Sequence, residues 1–366
     1  MSHLRTRRFQ PGDEVQIRDL LTKVKCGRPT VCNKSLELMR WQWLHAPGGP
    51  MDSWVIEAEE PTGSWKIVGH HGLCPTRFTF GDADLLFAKT SNTMLLPEYR
   101  SKFLYLRFEQ ECLREADRRF DATYCCAPGT ARLRSQLGYV SCSHWIHMVR
   151  GLQTPEMISR ILGFVANRYS SFSWNKIKRS IAAVSSSLNS RLLLSLMEYS
   201  AIQAAQSDFF ADFWSSARLV AGMSARRDVQ DLTWRFWQRP GFRYSTLTNT
   251  WEGGARAYCV VNITDPLIFH LEDIFVSPPR ADLLQMFILA VFAWCARKGA
   301  LLLRFSTTTD GQPKEFLDVF SRYMHLSPLR PFRPEVDFPR RFSSQGKSKL
   351  GSANVPWNAT LLLRPA

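Results

Sequence analysis

The chain has no apolar run of about 18 residues, the length a helix needs to cross a bilayer, so no membrane-spanning helix is expected. It has no metal-knuckle spacing of cysteines either. Its nine cysteines are scattered and odd in number, and only Cys125 and Cys126 are neighbours. Neighbouring thiols do not form a zinc knuckle, whose cysteines stand about two to four residues apart. No metal site and no disulfide framework is expected, and the thiols read as small buried hydrophobes in a reducing compartment. No signature of a nucleic-acid-binding module occurs, so no specific nucleic-acid partner is expected. The segment Met1-Ser2-His3-Leu4-Arg5-Thr6-Arg7-Arg8 lacks the apolar core of a secretion signal, and the expected location is the cytoplasm.

What is present is globular. The 366 residues are 45% hydrophobic and 22% charged, enough for two domains and for a core that needs no staples. The 47 basic residues against 32 acidic ones give a net charge of +15. Such an excess bears on partners rather than on fold. It suits a phosphorylated cofactor, an acidic carrier protein or an anionic surface.

An internal repeat organises the chain. Trp41-Gln42-Trp43-Leu44-His45-Ala46-Pro47-Gly48 returns 193 residues later as Trp234-Arg235-Phe236-Trp237-Gln238-Arg239-Pro240-Gly241. Each copy ends a helix-like segment at a Pro-Gly breaker. Strand-like runs follow, at 53–58, 65–73 and 87–96 in the first half and at 242–248, 255–263 and 268–276 in the second. Each half then has a long helix, 102–119 or 282–297, and a further strand, 122–127 or 301–306. On the first helix Leu104, Phe108, Cys112 and Leu113 share one face. Strand–helix–strand order implies a right-handed crossover and a partly parallel sheet. The expectation is an α/β (α+β) protein of two tandem domains, residues 1–150 and 206–366, each a mixed sheet flanked by helices. The four repeat tryptophans are expected to pack behind each domain's cleft. Residues 151–205 read as a helical, serine-rich basic linker, with Arg160, Arg168, Lys176, Lys178, Arg179 and Arg191 against Glu156 and Glu198. Such a segment either packs across both domains or docks on a membrane surface or carrier protein.

One segment carries recognisable chemistry. The strand ending in Met94-Leu95-Leu96 runs through Pro97-Glu98-Tyr99-Arg100 directly into the helix that begins near Lys102. A strand–turn–helix of this kind aims backbone N–H groups and a helix N-terminus at a pyrophosphate. The segment resembles the coenzyme-A loop of the GNAT acyltransferases. Arg8-Phe9-Gln10-Pro11-Gly12-Asp13-Glu14 resembles that family's first strand and turn, Ile67-Val68-Gly69-His70-His71-Gly72 its second strand, and Leu137-Gly138-Tyr139 its Leu-Gly-Phe close. In the second half Leu271-Glu272-Asp273-Ile274-Phe275 stands at the cofactor strand and Trp357-Asn358-Ala359-Thr360 at the closing strand.

The resemblance implies an acyltransferase that uses acetyl-CoA or another acyl-CoA, with no metal. It implies a donor site formed by Met94, Leu95, Leu96, Arg100, Ser101, Lys102, Phe103, Leu104 and Tyr105. An amide near Leu95 would stabilise the oxyanion. Phe103 and Tyr105 replace the small residues that let the family's loop approach the phosphates. Arg134 stands where many members place an acidic tyrosine, with Tyr139 as the nearby substitute. His70 and His71 are the base candidates, and as strand neighbours they face opposite sides of the sheet. Cys125-Cys126-Ala127-Pro128-Gly129 ends the strand beside this cleft, so one of the two thiols is a candidate to line it. Glu272 and Asp273 read either as cleft carboxylates or as an exposed strand carboxylate and a helix cap. The second half opens its helix with Ser277-Pro278-Pro279-Arg280, where two prolines remove two phosphate donors, so it reads as structural or as an acceptor-side wall.

Two function classes follow. One is an acyl-CoA-dependent N-acyltransferase acting on a primary amine of an amino sugar, peptide, amino acid or antibiotic-like acceptor, with an acyl carrier protein as the variant donor. The other is a GNAT-like binding or scaffold protein that has lost catalysis, as Phe103, Tyr105 and Arg134 favour.

Overall fold

A computed structural model describes residues 3–25, 35–125, 131–140, 145–152, 203–204, 207–219, 222–308, 314–326, 340–350 and 357–358. The linker expected at 151–205 lies almost wholly outside the described residues.

The first half runs β1 (Leu4–Arg8), α1 (Asp13–Lys25), α2 (Leu36–Leu44), β2 (Asp52–Glu59), β3 (Trp65–Phe80), β4 (Ala83–Leu95), a short 3₁₀ turn (Pro97–Tyr99), α3 (Lys102–Ala116), β5 (Ala122–Tyr124), α4 (Ala131–Ser135) and β6 (Trp145–Gly151). β1 to β4 form an antiparallel meander, and β5 joins β4 in parallel because α3 carries the chain back across the sheet. The caps are local: the Ser35 hydroxyl accepts the Leu38 amide of α2, and the Ser101 hydroxyl accepts the Leu104 amide of α3.

The rest continues with β7 (Gln203–Ala204), α5 (Ser207–Ala217), β8 (Met223–Ala225), α6 (Val229–Leu232) with a π-helical turn over Thr233–Trp237, β9 (Tyr244–Thr250), β10 (Arg256–Asn262), β11 (Ile268–Ser277), α7 (Ala281–Arg297), β12 (Leu302–Thr308), α8 (Lys314–Tyr323), β13 (His325–Leu326), β14 (Arg340–Phe342), α9 (Ser344–Leu350) and β15 (Trp357–Asn358). β9 to β11 repeat the meander, α7 is the crossover, and β12 lies parallel to β11.

The halves exchange strands. β6 pairs with β12, so the expected boundary at 150 falls inside a strand of the second sheet. In return β14 extends the first sheet beyond β5, and β8 pairs with the far end of β3. Each half thereby lends a strand to the other's sheet, so that β14 covers β5 and β6 covers β12.

One aromatic cluster spans both halves. Phe78, Phe87 and Tyr124 of the first sheet join Phe210 and Phe213 of α5 and Tyr258 and Phe275 of the second sheet, and all are buried. The contribution is about 1.5–3 kcal/mol for each fully buried large side chain. The repeat tryptophans differ from the expectation. Trp41 and Trp234 lie not behind separate clefts but against one another, with ring centroids 4.7 Å apart and planes within 18°. Each indole donates to the other's backbone: Trp41 Nε1 to the Trp234 carbonyl at 3.0 Å, Trp234 Nε1 to the Trp41 carbonyl at 3.3 Å. Trp43 stacks on His70, and Trp237 is largely exposed. Among the described residues no helix is long and apolar enough to cross a membrane.

Candidate functional site

The site begins where two parallel strands part. β4 and β5 pair only at Phe87–Ala122, Ala88–Thr123 and Lys89–Tyr124, and β4 then runs on to Leu95 without β5. Along that unaccompanied stretch the register with β3 slips between His70 and Gly72, and Asn92 takes a positive φ of 51°. A bulge of this kind re-aims backbone groups. The Leu96 amide donates to Val68 on β3 at 2.9 Å, so the alternation of a strand turns the Leu95 amide the other way, into the gap that β5 has left. The second half repeats the device: β11 and β12 pair from Ile268–Leu302 to Leu271–Phe305 and separate, and the β10–β11 register slips opposite Glu272.

Beyond the gap the loop is bonded within itself. The amides of Tyr99, Arg100 and Ser101 donate to the carbonyls of Leu96, Pro97 and Tyr99, and Arg100 Nε reaches back to the Leu95 carbonyl at 3.0 Å. Among the first-turn amides of α3, which a helix cannot satisfy internally, that of Leu104 is taken by Ser101. The amides of 102 and 103 have no such intrahelical acceptor by geometry. The side chains of Lys102 and Phe103 lie outside the described residues. Met94, Leu95 and Leu96 are buried, Leu104 and Tyr105 half-buried, and Arg100 and Ser101 exposed.

His70 and His71 do face opposite sides of β3. His70 is fully committed: Nδ1 donates to the Asn92 carbonyl and Nε2 accepts from the Ser53 hydroxyl, both at 2.8 Å. His71 lies on the α3 side, beside Phe108, with Nδ1 3.0 Å from the Thr93 hydroxyl and Nε2 buried without a partner. Burial pulls both imidazoles down to about 4, which leaves both neutral at pH 7.

Next to His71 is a residue that the sequence reading passed over. Glu109, wholly buried on α3, is held by Arg134 of α4 at 2.9 Å. Burial alone would raise its carboxyl, but Arg134 and His71 overcome this and hold it below the usual range. Arg134 also donates to the Cys125 thiol, comes within 3.4 Å of the Tyr105 hydroxyl, and lies over the Tyr139 ring at 5.7 Å. Burial pushes both tyrosines well above their ordinary range, so both remain protonated. The position at which a tyrosine is expected thus holds a buried arginine whose partner comes from α3. The signal was in the sequence: Glu109 is a charge one turn from both Tyr105 and Leu113, on a face of apolar residues.

No protein-family model matches the chain, and no curated protein matches it. Solved structures do. A conserved protein of unknown function from Enterococcus faecalis, described as a probable N-acyltransferase, aligns over 94% of this chain and 74% of its own at a TM-score of 0.57 and 12% identity. A GCN5-related N-acetyltransferase from Anabaena variabilis aligns over 93% and 73% at 0.57 and 11%. Saccharomyces cerevisiae N-myristoyltransferase with bound myristoyl-CoA aligns over 93% and 80% at 0.56 and 10%. The chain has the GNAT fold, in tandem.

In the second GNAT-like half the counterpart residues take another role. Asp273 is neither an exposed strand carboxylate nor a helix cap. It is fully buried, with Arg227 Nε at 2.9 Å and the Tyr258 hydroxyl also donating to it. Glu272, half-buried, accepts from Asn262 at 3.1 Å. The start of α7 carries an exposed Arg280–Asp282 pair.

Proposed function

We propose that the protein is an N-acyltransferase that moves an acyl group from acyl-CoA to a primary amine at the splay of β4 and β5. One observation carries the reading: a parallel pair that parts after Lys89–Tyr124, with a bulge at Asn92 and the Leu95 amide turned into the gap. That amide is a preformed oxyanion donor. The thioester end of the donor fits there. Its pyrophosphate has the amides of 102 and 103, and Arg100, which must leave the Leu95 carbonyl to reach it.

The amine nitrogen attacks the thioester carbonyl, the carbon–nitrogen bond forms, the carbon–sulfur bond breaks, and the thiolate leaves and is protonated. Neutral His71 takes the amine proton through the Thr93 hydroxyl on the bulge. Tyr105, which burial keeps protonated, supplies the thiolate's proton in place of the tyrosine that Arg134 has replaced.

The test is melting in acetyl-CoA and in longer acyl-CoAs. At about 100 times the dissociation constant a ligand adds about 2.7 kcal/mol of stability. Absence of a shift with any acyl-CoA refutes the proposal. A second reading, a GNAT-fold protein that binds but does not turn over, is favoured by the internally bonded loop and the buried Glu109–Arg134 pair beside the gap. It predicts a shift on binding with no free thiol released when amines are added.

A further inference from the structure

The joint between the two repeats holds a small, partly open chamber. Trp41 and Trp234 form part of its wall, and Lys89, Arg235, Arg239 and Glu272 bring three cations and one carboxylate to it. Lys89 is buried and belongs to the last pair before β4 and β5 part, so the chamber lies at the vertex of the splay. Arg239 bonds the Tyr244 hydroxyl at 2.8 Å and keeps its Nε buried without a partner. Arg235 lies against the Trp234 ring at 5.4 Å and, among the described residues, has no hydrogen-bonded acceptor for any of its five donors. Even with Glu272 set against one cation, two positive charges remain. Burial pulls the Arg235 pKa down from its ordinary value, outweighing the opposing pull of Asp231.

We infer that this chamber takes the carboxylate of the acceptor, and that the acceptor is a short peptide whose amine lies at the splay. The inference rests on the acyltransferase reading for the role of the amine, not for the binding of the carboxylate. The chamber offers about 30 Å³. A water-sized atom needs about 10–15 Å³, so there is room for the two oxygens of a carboxylate. Two guanidinium groups match a planar carboxylate. From Lys89 to Leu95 the strand advances on the order of 20 Å at about 3.3 Å per residue. A free amino acid cannot bridge that span, whereas an extended peptide of a few residues can.

The test uses the full chain without any acyl donor. Trialanine and trialanine amide are titrated calorimetrically into the native protein, Arg235→Met and Arg235→Lys. The native protein is expected to bind trialanine at least tenfold more tightly than its amide, with Arg235→Met losing the difference and Arg235→Lys keeping part of it. Equal binding of acid and amide, binding of neither, or a preference that survives Arg235→Met overturns the inference. So does tighter binding of inorganic phosphate, or an Arg235-dependent preference for succinyl-CoA over acetyl-CoA, which would move the carboxylate to the acyl donor. Failure of the acyl-CoA melting test with these peptide results intact would remove the transfer reaction and leave the peptide site.

Discussion

Removal of Glu109 is the sharpest perturbation of the site. Its side chain is 0% exposed and that of Arg134 is 2%, so Glu109→Leu leaves a guanidinium charge buried with the Cys125 thiol, the Tyr105 hydroxyl and the Tyr139 ring beside it. Breaking a buried pair by deleting one partner costs about 3–5 kcal/mol, because the remaining charge cannot regain its water. Arg134→Met strands the carboxylate and should cost a similar amount. The double variant Glu109→Leu with Arg134→Met replaces both charges by apolar groups of like volume, and such replacements are often neutral or stabilising. It should recover most of the loss. The assay is equilibrium urea unfolding of the four proteins followed by circular dichroism, with the coupling taken from the cycle. Single variants that cost under about 1 kcal/mol, or a double variant that costs the sum of the singles, would refute a buried, mutually dependent pair. The double variant should also keep the acyl-CoA melting shift, since the donor site proposed here lies along β4.

Three further outcomes are expected. Trp41→Phe and Trp234→Phe each remove one indole hydrogen bond to the opposite repeat's carbonyl, at about 0.5–1.5 kcal/mol apiece; urea unfolding that locates the loss at only one position contradicts a reciprocal joint. Asp231 is pushed up to about 7, burial outweighing its pairing with Arg77 at 2.5 Å and the repulsion of Asp228 adding to the rise. A carboxyl raised in the folded state is protonated there while the unfolded one is not, so its stabilisation is full below about pH 4 and is lost as pH rises through 7. At about 1.36 kcal/mol per unit it contributes about 2.5 kcal/mol more at pH 5 than at pH 8, and the gap between native and Asp231→Asn stabilities should change by that amount. His71→Gln should lower acyl transfer about 10²–10⁴-fold while the acyl-CoA melting shift stays; equal loss of both in melting and thiol-release assays places His71 in binding alone.

Much of the architecture was legible because period and punctuation are local. The expected strands at 65–73, 255–263 and 268–276 and the helix at 282–297 fall on β3, β10, β11 and α7. The repeat of tryptophan and Pro-Gly announced two similar halves, and solved structures of the same fold agree. What the sequence hid was every feature made by distant residues. β3 and β4 extend well past the expected turn, to Phe80 and Ala83, because β8 covers that end. β6 crosses to the second sheet because its register is set by β12, which lies far along the chain. Glu109 and Asp273 are buried carboxylates whose arginines come from other elements, Arg134 and Arg227, and no spacing rule links such pairs.

The two halves share a splay but not its surroundings, and the difference locates the chemistry. In the second half Asp273 lies on the strand itself, two positions past the last β11–β12 pair, and holds Arg227 and Tyr258 with no exposed atom among the three. On the proposed reading, a charge locked there fills the place that the thioester takes in the first half. The helix beyond it opens after Pro278 and Pro279, which offer no amide to a phosphate. In the first half the ion pair is set back on α3 and α4, so the strand keeps its bulge, its inward amide and the hydroxyl of Thr93. The chamber between Trp41 and Trp234 draws Lys89 from the first half and Arg235, Arg239 and Glu272 from the second. On the proposed reading the second half is the wall that holds the far end of the acceptor, and loss of its Arg235 should weaken peptide binding while the donor's melting shift is unchanged.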